Sequence, residues 1–105
     1  MPKRSVIIGM YEYSVLLAIK ALDDDAYGAE INRFLVKKLG RKRITAQIYM
    51  ALIRLKDRGL VSTTKTKPLP IKGGRSRTLY TVKPKGIKTI QEINSYFEEL
   101  KKGWL

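Results

Sequence analysis

The 105-residue sequence contains neither cysteine nor histidine. The first absence excludes disulfides, thiolate nucleophiles and zinc-finger ligation. The second removes the imidazole on which most acid–base and metal sites depend. An enzyme is therefore not expected, nor a bound metal or any other cofactor. Acidic residues are scarce as well: 9 Asp and Glu stand against 22 Lys and Arg, for a formal net charge of +13. Three of the acids form one run, Asp23-Asp24-Asp25, between two apolar-periodic segments, which suits a loop and helix-capping cluster better than a carboxylate–Mg²⁺ site. No apolar run is long enough to cross a bilayer, and the segment from Met1 to Gly9 lacks the core of a signal peptide. A cytoplasmic protein with no membrane partner is the expectation.

What is present begins with periodicity. A chain of this length supports one modest core. Val15, Leu16, Ile19 and Leu22 keep helical spacing within Met10–Leu22 and predict a first helix with one buried face. After the Asp run, Ala26-Tyr27-Gly28 reads as a turn, and Ile31, Leu35 and Leu39 recur every fourth residue until Gly40 stops a second helix. Thr45 is a good N-cap for a third, in which Ile48, Leu52 and Leu55 share a face up to Gly59. The pattern then changes to β-branched and alternating, predicting strands over Leu60–Thr66 and Thr78–Val82. Between them, two prolines and the Gly73-Gly74 pair cannot lie inside a strand, so Lys67–Arg77 becomes the long basic tip of a hairpin. Pro84 suits the first turn of a last helix reaching about Lys102. The fold class expected is mainly α with a β-hairpin: a winged helix-turn-helix over residues 1–83 and a C-terminal dimerisation helix over 84–105, in one compact unit.

The charge is unevenly placed. Between Ile31 and Gln91 stand 17 basic residues and a single acid, Asp57. A solvated face mixes signs, and this block does not, which points to a polyanion and in this layout to double-stranded DNA. A helix entering the major groove offers its N-terminal end to base edges while nearby cations hold phosphates. Lys42 and Arg43 immediately precede the third helix. Thr45, Ala46 and Gln47 open it, with Gln47 able to pair with an adenine edge; Tyr49 and Arg54 suit phosphate contact. The hairpin adds Lys65, Lys67, Lys72, Arg75 and Arg77 as a basic wing. A nonspecific architectural DNA-binding protein and an RNA-binding module are the alternatives. RNA modules of this size usually display stacking aromatics on an exposed sheet, where this hairpin offers Tyr80 alone.

Along the last helix Ile90, Ile93, Phe97, Leu100 and Trp104 advance by alternating steps of three and four, the a/d spacing of a two-helix seam. Two heptads are too short for a free coiled coil, so this helix is expected to pack on its twin in a homodimer and also on the first helix.

Several segments together resemble the PadR-type winged-helix regulators. They are Glu12-Tyr13-Ser14-Val15-Leu16-Leu17-Ala18-Ile19, Ala26-Tyr27-Gly28-Ala29-Glu30-Ile31, the stretch from Ile48 to Val61 with its Tyr-x-x-Leu-x-x-Leu element, Gly73-Gly74-Arg75-Ser76-Arg77, and Tyr80-Thr81-Val82-Lys83-Pro84-Lys85-Gly86. They run in the family's order over nearly the whole chain. The resemblance implies a dimeric transcriptional regulator, usually a repressor, that reads a pseudo-palindromic operator and is released by a small-molecule effector or stress signal. It implies DNA contact by the third-helix tyrosine and the wing bases, here Tyr49, Arg75 and Arg77, and assigns Ala26, Tyr27 and Gly28 to shaping the start of helix two. A single helix after the wing resembles the short subgroup. Some of its members bind aromatic drugs between tryptophans of paired C-terminal helices, a role that Trp104, almost at the chain end, is not assigned.

Overall fold

The computed structural model describes residues 8–40, 45–66 and 77–104. Four α-helices and one antiparallel hairpin follow in the order α1 (Met10–Leu22), α2 (Gly28–Leu39), α3 (Thr45–Asp57), β1 (Val61–Lys65), β2 (Thr78–Val82) and α4 (Pro84–Lys101). A single 3-10 turn over Asp23–Asp25 joins α1 to α2. The mainly helical fold with a two-strand hairpin matches the sequence reading, element for element.

The core forms where the apolar faces of three helices meet. Val15, Leu16, Ala18 and Ile19 of α1, Ile31 and Leu35 of α2, and Ile48, Ala51, Leu52 and Leu55 of α3 are buried together. Leu60 and Val61 close the cluster from below, and Leu79, Tyr80 and Val82 of β2 pack on its edge with Ile90 of α4. Leu39 departs from its expected place on the buried line and is exposed, because α2 has run past the core by its last turn, where Gly40 caps it in the left-handed region.

Three boundaries shift. Leu60 belongs to the connection, not to β1: Gly59 takes φ +76° and lets Leu60 N–H donate to Leu55 C=O. Thr45 is the first helical residue of α3 and not its cap. Ala26-Tyr27 is more than a turn. Tyr27 bridges Leu79 and Tyr80 N–H donates to Ala26 C=O at 2.9 Å, so the start of α2 adds a rung to the hairpin.

The hairpin pairs Val61 with Val82 and Lys65 with Thr78, and continues beyond the strands through Thr66 N–H to Arg77 C=O, 2.8 Å, and Arg77 N–H to Thr66 Oγ1, 3.0 Å. At its other end, α4 begins in van der Waals contact with the turn after α3. A Cβ on Gly86 would lie 2.3 Å from Leu60 C=O and 2.7 Å from Val82 Cγ1, so no side chain fits there. Lys85 Nζ donates to Arg58 C=O across the same junction, placing a cation on a carbonyl at the end of α3.

Candidate nucleic-acid interface

The outward side of α3 is defined by what it buries. Ile48, Ala51, Leu52 and Leu55 turn inward, which leaves Ala46, Gln47, Tyr49, Met50, Ile53 and Arg54 exposed. Tyr11 of α1 meets Ala46, Gln47, Met50 and Arg54 along an open groove between the two helices.

Glu12 sets the lateral position of α3. Nearly buried in the first turn of α1, it accepts from Gly9 N–H at 3.4 Å and lies 3.6 Å from Arg54 and 3.4 Å from Arg58. A carboxylate removed from water is held by the two guanidiniums, which stay about half exposed on their outer sides. Arg54, expected at a phosphate, is thus tied to Glu12 while still facing solvent.

The tip end of the hairpin is tied to the same helices by aromatic groups. Arg77 stacks over the Tyr27 ring at 4.0 Å, a cation–π contact that fixes the last residue before β2 against the start of α2. The Tyr49 hydroxyl abuts Gly28, where a Cβ would lie 2.9 Å from it. Tyr49 also stands beside Tyr80, whose phenol is pushed above its ordinary pKa by burial and by the neighbouring Tyr49 charge. Tyr49 of α3 and Arg77 beside β2 therefore converge on Tyr27-Gly28.

Among the described cations of this side, Lys56 and Lys65 are exposed and make no ion pair with a described acid. Arg33 is paired with Glu30 one turn before it. Lys42, Arg43, Lys67, Lys72 and Arg75 lie outside the described residues, as does the Thr45 side chain.

The order of the elements, the rung that Tyr27 adds to the hairpin and the continuous core together are the winged helix-turn-helix. The family model for the transcriptional regulator PadR-like family matches residues 15–92. The chain belongs to that family. As a PadR-like regulator it is a DNA-binding protein of transcription, and the family is one of regulators, not enzymes. It is similar to a PadR-like transcription factor from Bacteroides fragilis, 27% identical, with a TM-score of 0.75 over 90% of this chain and 86% of that one. A PadR-like transcriptional regulator from Bacillus cereus is 22% identical, with a TM-score of 0.72 over 90% of this chain and 87% of that one. A PadR family transcription regulator from Clostridium difficile is 22% identical, with a TM-score of 0.66 over 86% of this chain and 92% of that one. No curated protein matches the chain. No helix among the described residues is long and apolar enough to cross a membrane.

The five residues expected at a two-helix seam divide, four on α4 and Trp104 beyond its end at Lys101. Ile90 packs on the core, and Ile93 is half-buried. Phe97, Leu100 and Trp104 are exposed, and so is Tyr96, whose ring meets Phe97 edge-on at 5.4 Å.

The sequence reading passed over Glu12, the Tyr27–Arg77 stack, Met50 and Ile53. Glu12 carried a signal: it is the lone charge between Met10 and Ile19, one turn before the buried Val15 and Leu16. Met50 and Ile53 also carried one, as apolar residues on the α3 face opposite Ile48, Ala51, Leu52 and Leu55, whereas the Tyr27–Arg77 stack joins segments far apart in the chain.

Proposed function

We propose that this PadR-like chain is a sequence-specific repressor that binds a pseudo-palindromic operator as a homodimer, joined along α4 through Ile93, Phe97, Leu100 and Trp104. The observation that carries this reading is the convergence of Tyr49 and Arg77 on Tyr27-Gly28, which couples the groove helix to the root of a basic wing. Gln47 and the first turn of α3 read base edges. Tyr49, Arg54, Lys65 and Arg77 hold phosphates, as do Lys42, Arg43, Lys67, Lys72 and Arg75. Pairing along α4 presents two recognition helices about 34 Å apart, matched to successive major grooves. A small-molecule effector, as the resemblance implies, would act by changing that separation. The protein works in the cytoplasm.

Gel-shift titration on fragments retained from a random DNA pool tests this reading. An enriched inverted repeat is expected, with affinity falling steeply with salt. Arg75→Ala with Arg77→Ala lowers affinity for every sequence and flattens the salt slope, whereas Gln47→Ala blurs sequence preference. Retention of unrelated fragments with equal affinity would instead mark an architectural protein.

A further inference from the structure

The outermost line of α3 is apolar where a solvated helix would be polar. Ala46, Met50 and Ile53 follow one another at four and three residues, opposite the buried Ile48, Ala51, Leu52 and Leu55. Met50 and Ile53 are 47% and 53% exposed. At 1.5 Å per residue the strip runs about 10 Å along the helix, the rise of roughly three base-pair steps, and Asp57 ends it one turn later.

The setting of the strip selects its occupant. It starts in the first turn of α3, three residues after Arg43 in the sequence Arg41-Lys42-Arg43-Ile44-Thr45-Ala46, and exposed Arg54 and Lys56 stand on the same helix. A narrow apolar line in a cationic frame complements a surface that is apolar along its floor and anionic along its walls. Duplex DNA offers that combination where thymine C5-methyl groups line the major groove between two phosphate backbones. Gln47, beside Ala46, fits the same sequence class, because an adenine edge accompanies each thymine.

We infer that the recognition helix reads thymine methyl groups in the major groove, through Ala46, Met50 and Ile53, so that each half-site contains a T-containing run of about three base pairs. The inference rests on the DNA-binding reading above and deepens it from a groove to a base class. Met50 is suited to this contact, since its unbranched thioether adjusts to methyl groups set at uneven heights.

The test uses the full chain unaltered and a change in the DNA. The strongest fragment retained from a random pool is synthesised once with thymine and once with deoxyuridine at every thymine of the half-sites, which removes the methyl groups and leaves pairing and charge intact. The deoxyuridine duplex should bind about fourfold more weakly for each methyl group contacted. Met50→Gln and Ile53→Asn should bring the two duplexes closer to equal affinity while leaving the salt slope unchanged. Equal affinity of the unaltered protein for both duplexes would overturn methyl reading and leave DNA binding standing. Failure to bind any duplex at low salt would overturn both.

Discussion

Helices α1 and α4 have similar apolar spacing and opposite fates. Val15, Leu16, Ala18 and Ile19 of α1 are all but inaccessible, while Phe97 and Leu100 of α4 and Trp104 in the turn after it face solvent, Trp104 at 76% exposure. The difference lies in neighbours, not in the residues. α1 lies between α2, α3 and β2, whereas α4 touches α1 and β2 and is exposed from Asn94 onward. Periodicity thus defines that a helix has an apolar side. It does not define whether the same chain covers it.

Four experiments sharpen the contrast. Leu16→Ala removes a fully buried side chain from the shared centre and should lower stability by about 2–5 kcal/mol, read by denaturant unfolding. The root of α4 should be nearly as sensitive: Gly86→Ala forces a methyl group onto the Leu60 carbonyl, which cannot rotate away, and should cost about 1–3 kcal/mol. At the free end of the same helix, Phe97→Asp should alter assembly instead, converting dimers to monomers in sedimentation. A variant that still sediments as a dimer would remove α4 as the interface. Glu12→Gln, whose arginine partners are about half exposed, should change stability by less than about 1 kcal/mol, yet it frees Arg54 to move and should show as altered DNA affinity.

A smaller effect concerns pH. Tyr80 is pushed above its ordinary pKa by burial first and by Tyr49 second. A phenol that holds its proton longer in the folded state contributes stability that is complete below about pH 10 and is lost as pH rises through its folded value. Tyr80→Phe should therefore flatten the decline of thermal stability above pH 10, a difference visible in melting curves at paired alkaline pH values.

Much of the fold was legible because its signals are local. The helix limits follow from 3.6-residue spacing, from Gly40 and Gly59 as stops, and from Pro84 at the start of α4. What escaped are contacts that local pattern cannot encode. Glu12 meets Arg58 across 46 residues, Tyr27 pairs with Leu79 across a similar stretch, and Gly86 looks like an ordinary helical glycine until Leu60 is brought against it. Of the residues expected at DNA, Tyr49 and Arg77 were read from helix position and charge as surface groups, not as neighbours of Tyr27-Gly28. Leu39 kept the right spacing and still emerged into solvent, since a periodic line says nothing of where the core ends.

The seat of Gly86 has a consequence for reach. α4 has 18 residues, a rod about 27 Å long, and its first turn rests on the Leu60 carbonyl. Tilting such a rod by about 5° displaces its far end by about 2 Å, more than half a base-pair step. In the proposed dimer, joined along that rod, the length of DNA the two halves span would depend on the clearance around one missing methyl group.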